Sequence, residues 1–183
     1  MKVYFINPPY KSEYGKFSRE QRSPAITKSR TIYYPLWLIY AAAVTKKSGF
    51  DVKFIDAPAK QMSFDQCYEA IKKDGENTRL FVLDTSTPSI YNDVEFLKGL
   101  KKKYPDAYMT LVGTHVSALP KETLNIDKAI DAVARHEFDY IIRDLAIAIR
   151  DDKPLSGVKG ITYREGDEIK STHDDLLHSL LLL

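Results

Sequence analysis

A chain of 183 residues, 44% of them hydrophobic, has enough apolar side chains for one core of ordinary domain size and is not a disordered segment. A formal net charge of +2 gives no basis for binding nucleic acid or a membrane surface through bulk charge. A single cysteine, Cys67, excludes an internal disulfide, and also an iron–sulfur cluster or cysteine-built zinc site held by this chain alone.

Lys2 to Ile6 reads as a strand, closed by Asn7-Pro8-Pro9 because proline has no N–H to give to a ladder. This apolar start is too short for a signal peptide, and no run approaches a membrane span, so a cytoplasmic protein is expected. Residues 10 to 33 form a long polar stretch carrying Arg19, Arg22, Lys28 and Arg30; a loop of that length in a compact domain is usually functional or disordered. Pro35 opens a helix through Leu36, Ile39, Tyr40, Ala43 and Val44 that stops at Gly49. The aromatic run Tyr33-Tyr34-Pro35-Leu36-Trp37 reads as packing of this helix on a sheet, with an aromatic wall over a planar ligand as the alternative.

Val52 to Ile55 is the second strand, followed by Asp56-Ala57-Pro58. Ser63 caps a helix with Phe64, Cys67, Tyr68 and Ile71 at helical spacing, ending near Gly75. Leu80 to Leu83 is the third strand. Asn92-Asp93 lies near the start of the next helix, which carries Val94, Leu97 and Leu100 and finishes in Lys101-Lys102-Lys103, as the helix dipole favours. Tyr108 to Val112 is the fourth strand, and Leu119 to Leu124 a short helical turn. Ala129 to Ala134 is the fifth strand, with Arg135-His136-Glu137 as its loop and a helix from about Phe138 to Arg150 after it. Gly157 to Ile169 is a β-hairpin turning at Glu165-Gly166-Asp167. The apolar tail Leu176 to Leu183 reads as a segment packed on something, or as a chain cut before its next domain.

Strands alternating with helices predict an α/β fold, a doubly wound (Rossmann-like) parallel five-stranded sheet with helices on both faces. Residues 1–155 form this unit, and the C-terminal β-hairpin is an appendage. Neither Gly-x-Gly-x-x-Gly nor a phosphate-binding Gly-Lys-Ser/Thr loop occurs, which argues against dinucleotide and nucleoside-triphosphate sites of those kinds. Ligands of open α/β sheets bind beyond the carboxyl ends of the strands, where the strand order reverses. Two loops stand out there. Thr85-Ser86-Thr87-Pro88-Ser89 offers four hydroxyls, suited either to a polar ligand edge or to capping a helix. In Gly113-Thr114-His115-Val116-Ser117, the glycine admits close approach to the backbone, and His115 could bond a ligand or a metal or simply face solvent. Glu137 and Asp139 suit a helix start as well as ligand contact. Ser86 and His115 could converge, but no oxyanion hole or nucleophile elbow accompanies them, which argues against a hydrolase.

Several stretches then line up with one family: Phe5-Ile6-Asn7-Pro8-Pro9, Tyr34-Pro35-Leu36-Trp37-Leu38, Asp56-Ala57-Pro58, Thr85-Ser86-Thr87-Pro88, Val112 to Pro120, Arg135-x-Glu137-x-Asp139-Tyr140 and Gly160 to Arg164. Taken together they resemble the N-terminal cobalamin-binding domain of radical-SAM enzymes, a group that includes anaerobic magnesium-protoporphyrin ester cyclases and many methyltransferases. The segments around Trp37 and Phe138 are similar to those of its hopanoid-biosynthesis members. The resemblance implies a flavodoxin-like sheet with cobalamin across the carboxyl strand ends and its nucleotide tail between the sheet and flanking helices. It implies cofactor contacts from Pro8, Pro9, Thr85, Ser86, Thr87, Pro88, Gly113, Thr114, His115, Val116, Arg135 and Glu137. Asn7-Pro8-Pro9-Tyr10 stands where many cobalamin domains have Asp-x-His-x-x-Gly, which implies base-off cobalamin without a protein histidine ligand. Val112 stands in place of the first glycine of a Gly-Gly pair, and His136 in place of the glycine of Arg-Gly-Glu.

With one cysteine, the Cys-x-x-x-Cys-x-x-Cys motif of the family's iron–sulfur site is missing, so this chain alone is not expected to be catalytic. The resemblance implies a corrinoid cofactor and a radical-SAM catalytic domain as partners, with residues 156–183 as hairpin and linker toward that domain. Two other readings stand beside it: a cofactor-free α/β interaction domain, and a binder of another nucleotide-like ligand.

Overall fold

Val3, Tyr4, Phe5 and Ile6 are all buried, which a strand achieves only in the middle of a sheet covered on both faces. They belong to β1 (Lys2–Asn7) of the computed structural model, which describes residues 1–10, 13, 15–19, 24–29 and 31–174. The expectations resting on Arg22, Arg30 and the apolar tail from Leu176 lie outside the described residues.

The elements follow in chain order. After β1 come two short strands, β2 (Lys16–Ser18) and β3 (Ala25–Thr27), paired antiparallel on their own. Then come α1 (Leu36–Lys47), β4 (Asp51–Asp56), α2 (Phe64–Lys72), β5 (Thr78–Asp84) and α3 (Ile90–Lys103). The second half holds β6 (Tyr108–Val112), α4 (Thr114–Ala118), α5 (Pro120–Ile126), β7 (Ala132–Ala134), α6 (Asp139–Arg150), β8 (Ile161–Glu165) and β9 (Glu168–Ser171).

The main sheet has the order β4-β1-β5-β6-β7-β8-β9. Its first five strands are parallel, as the alternation of strand and helix predicts, and the order reverses between β1 and β5. The hairpin β8–β9 is bonded antiparallel to β7, so the appendage extends the sheet edge rather than standing apart from it.

Alternation along the strands divides the core in two. Val3, Phe5, Leu80, Val82 and Val112 face α1 and α6, while Tyr4, Ile6, Phe81, Leu83 and Leu111 face α2, α3 and the short α4 and α5. Each helix joins its core by residues three and four apart, such as Val94, Leu97 and Leu100 of α3.

Some local expectations are corrected. The stretch from residue 10 to 33 includes the β2–β3 pair, whose Phe17 is buried and stacks on Tyr10 with ring centroids 4.1 Å apart. Gly113 to Ser117 is not an open loop but runs into the helical turn α4. The fifth strand pairs only from Ala132, because the Asp127 carboxylate and carbonyl take the N–H groups of Ala129 and Ile130. The aromatic run before α1 does not pack into the core: Tyr34 is 80% exposed and Trp37 51%. Leu38, Ala41, Ala42 and Thr45 make the buried stripe of α1 instead, a quarter-turn away from the aromatic side chains.

The hairpin is fastened by Arg135. Its Nη1 donates to Thr162 Oγ1 at 2.7 Å, its Nη2 to the Thr172 carbonyl at 2.6 Å, and its Nε and Nη2 to Asp174 Oδ1 at 2.9 and 2.7 Å. A lysine ammonium cannot reach these three acceptors in a planar fork. Arg135→Lys should therefore cost about 1–3 kcal/mol of local stability. Hydrogen exchange should show faster amide exchange at Ile161, Thr162 and Thr172 with β1 and β5 unchanged; unaltered exchange in the hairpin would contradict this fastening.

Candidate functional site

Because β1, β4, β5, β6 and β7 are parallel, their following loops all emerge at one end of the sheet. The crevice at the strand-order reversal, between β1 and β5, is occupied by Arg19. Its Nε donates to Asp93 Oδ2 at 3.1 Å and its Nη2 pairs with Asp93 Oδ1, while Nη1 donates to Asn7 Oδ1 at 2.7 Å and to the Pro8 carbonyl at 2.8 Å. Asp93, in the first turn of α3, is 0% exposed. It also accepts from Thr85 Oγ1 at 2.8 Å, Ser89 Oγ at 2.6 Å and Asn92 Nδ2 at 3.0 Å. The same Asn92 amide donates to the Pro9 carbonyl at 2.9 Å.

The hydroxyl loop is thus largely turned inward. Thr85, Ser86 and Ser89 are buried, and the Ser86 and Ser89 hydroxyls bond each other at 2.9 Å. Thr87 and Pro88 remain exposed. Pro8 and Pro9 are buried and offer only carbonyls, both used within the network.

Gly113 has φ +117°, and a side chain there would come within 2.3 Å of the Thr85 carbonyl oxygen. The glycine is dictated by the close approach of the two loops, which the Thr85 N–H to Val112 carbonyl bond at 2.9 Å also fixes. His115 is nearly buried and its Nδ1 lies 3.2 Å from Thr87 Oγ1, so the two loops meet through this pair. Burial lowers the His115 pKa, which keeps the imidazole neutral. Thr114 is exposed, whereas Val116 belongs to the core facing α3. Ser117 Oγ donates to the Gly113 carbonyl at 3.0 Å and accepts from the His136 N–H at 2.8 Å, joining this turn to the loop after β7. In that loop Glu137 is exposed and Arg135 is committed to the hairpin.

Of the residues expected at the site, Thr87, Pro88, Thr114, Glu137 and the edge of His115 therefore share the open rim. Two features of this end escape a reading from the sequence. One is Arg19, hidden in a polar stretch with no periodicity. The other is a collar of exposed apolar side chains: Tyr33, Tyr34, Leu36, Trp37 and Tyr40 around the start of α1, Tyr91 at the start of α3, Leu119 between α4 and α5, and Tyr140 at the start of α6. These segments lie between consecutive parallel strands and lead into the helices that follow β1, β5, β6 and β7, at the carboxyl end of the sheet. The alternative of an aromatic wall in the Tyr33 to Trp37 run was the signal for part of it.

One guanidinium serves three carboxyls here, since Arg19 also acts electrostatically on Asp56 and Asp84. Burial pushes the Asp84 carboxyl up to about 7, with the Asp93 charge adding to the rise and Arg19 opposing it. Between the ordinary carboxylate range and about 7 the folded chain holds a proton that the unfolded chain has released, so stability falls as pH rises through that window. Asp84→Asn should remove this loss and raise the urea midpoint more at pH 8 than at pH 5. An equal effect at both pH values would contradict the assignment.

Comparison with known proteins bears on this end of the fold. A family model described as the B12 binding domain matches residues 22–146. The chain is 27% identical over 176 residues to an anaerobic magnesium-protoporphyrin IX monomethyl ester cyclase of Cereibacter sphaeroides, covering 94% of this chain and 26% of that protein. It is 27% identical over 137 residues to an uncharacterized methyltransferase of Pyrococcus horikoshii, covering 75% of this chain and 29% of that one. It thus spans between a quarter and a third of these relatives. Among solved structures, the radical S-adenosylmethionine methyltransferase TsrM of Kitasatospora setae superposes with a TM-score of 0.73 at 14% identity, over 94% of this chain and 30% of that chain. The cobalamin-dependent S-adenosylmethionine radical enzyme OxsB, with aqua-cobalamin bound, gives 0.73 at 16% identity, over 95% of this chain and 22% of that one. The flavodoxin-like sheet is shared with both, and with its model match over residues 22–146 the chain belongs to the B12 binding domain family.

Proposed function

We propose that this chain holds a corrinoid at the carboxyl end of its sheet and serves as the cofactor module of a radical-SAM enzyme. The observation that carries this is the rim itself. Most of the exposed large apolar side chains stand on the segments that begin at that end, as do the hydroxyls of Thr87 and Thr114, the imidazole of His115 and the carboxylate of Glu137. A corrin is a broad apolar ring fringed with amides, and this pairing of a flat apolar collar with short polar groups fits it. The aromatic faces of Tyr34 and Trp37 would lie against the ring, and Thr87, Thr114, His115 and Glu137 would meet its amides. The similarity to a magnesium-protoporphyrin ester cyclase and a methyltransferase, and the cobalamin in the OxsB structure, support the same reading.

When bound, the corrinoid supplies a redox-active cobalt that carries an alkyl group or an electron. The residues of this chain bind and orient it. The cobalt takes no histidine from this chain in our reading, consistent with a base-off corrinoid. No histidine follows β1, His115 is turned to Thr87, and His136 lies 3.6 Å from the Asp174 carboxylate. Residues 1–155 hold the cofactor, and those from 156 onward lead toward a catalytic domain that supplies the iron–sulfur chemistry. No described helix is long and apolar enough to cross a membrane.

Mixing the protein with hydroxocobalamin, desalting, and recording the visible spectrum tests this. Corrin absorbance near one equivalent should be retained at micromolar protein, and its absence would overturn the proposal. The double change Tyr34→Ala and Trp37→Ala should weaken retention at least about tenfold, while Cys67→Ala, in the core facing α2, should leave it unchanged. His115→Ala should leave the absorption bands of the bound corrinoid in place. A shift in those bands would show that His115 ligates the cobalt.

A further inference from the structure

Beneath the rim, the described residues are closely packed: Arg19, Ile90, Val112 and Val116 are all buried. A cobalamin carries a nucleotide on a flexible chain that must enter the protein past the strand ends if the protein is to recognise it. A thin ligand group entering past the strand ends would meet buried side chains at the β1–β5 crevice and on both faces of the sheet. The crevice between β1 and β5 holds the Arg19 guanidinium, bonded to Asp93, Asn7 and Pro8. The face under α1 and α6 is closed at its top by Val112, 0% exposed, in one buried cluster with Leu38 and Phe138. The face under α3 is closed by Val116 and Ile90, which share the other core.

The buried hydroxyls of the loop after β5 are already used, since Thr85 and Ser89 donate to Asp93 and Ser86 bonds Ser89. Among the described residues the buried hydroxyls of Thr45, Thr78 and Thr110 have no partner, and of these Thr110 stands on the strand that ends at the rim. Thr110 lies two residues before Val112 on the same face of β6, fully buried, and its Oγ1 has no hydrogen-bond partner. An unpaired buried hydroxyl is costly. Here it sits directly beneath the residue that seals the sheet from the rim.

We infer that this chain recognises the corrin ring and its amide fringe and does not read the lower nucleotide, because Val112 plugs the passage that leads to Thr110. The ligand class is therefore corrinoids in general, including cobinamides, which lack the nucleotide altogether. This rests on the proposed corrinoid binding, and the test separates the two.

The test compares the dissociation constants of hydroxocobalamin and hydroxocobinamide for the unaltered chain, by equilibrium dialysis read at the corrin absorbance. Both should bind, with a ratio below about fivefold. A preference for cobalamin above that ratio would overturn the inference while leaving corrinoid binding intact. Retention of neither would overturn the binding itself. Val112→Gly, or Val112→Ala if the glycine variant does not fold, should open the passage and bring the Thr110 hydroxyl within reach. The ratio should then move toward cobalamin; an unchanged ratio in a folded variant would show that Val112 is not the plug.

Discussion

The carboxylate of Asp93 is the group on which the functional end of the molecule depends. A charge removed from water costs several kcal/mol unless it is both paired and hydrogen-bonded. Asp93 is fully buried and meets that demand by drawing on four residues from three segments. Arg19 comes from the insertion after β1, Thr85 and Ser89 from the loop after β5, and Asn92 from its own helix. Each partner is thereby fixed, and so is the loop that carries it. The pairing is worth little as net stability against an apolar replacement, but removal of one partner would leave the other charge stranded, at about 3–5 kcal/mol. That asymmetry makes the network a device for defining geometry.

The consequences run outward from this hub. Once Thr85 is held to Asp93, its backbone can approach β6 so closely that only glycine fits at position 113. Gly113 in turn starts the turn that carries His115 to Thr87 and Ser117 to the loop after β7. Three adjacent strand ends are locked into one rim by a chain of bonds that begins at one buried charge. The same charge crowds its neighbours. Burial raises the Asp84 carboxyl to about 7, and the Asp93 charge adds to the rise against the pull of Arg19.

How much of this was legible in the sequence follows from what kind of signal each part carries. The parallel strands were legible because each is a short run of apolar residues that must be buried on both faces, and β1, β5 and β6 fall where the pattern put them. Position at the carboxyl ends then followed from topology, and so did the neighbourhood of Thr85 and Gly113. The direction of side chains within those loops did not. Four hydroxyls in a row look the same whether they face a ligand or a buried aspartate, and Asp93 was visible only as a helix-start residue. Arg19 sits 74 residues from Asp93, and no local spacing encodes that pairing. The exposure of the aromatic run at Tyr33 to Trp37 is illegible for a related reason: hydrophobicity predicts burial only on average.

Turning the hydroxyls inward changes the character of the rim as well as its shape. If Thr85, Ser86 and Ser89 faced outward, the end of the sheet would be a polar pocket suited to a small hydrophilic ligand. With them spent on Asp93 and on each other, the surface that remains is dominated by the aromatic side chains around α1, with isolated polar groups at Thr87, Thr114 and Glu137. A surface of that kind gains most of its binding free energy from apolar area and uses the few polar groups for orientation. It suits a large flat ligand held by its face, and it is poorly suited to gripping a thin polar tail. The buried charge that builds the rim therefore also selects what the rim can hold.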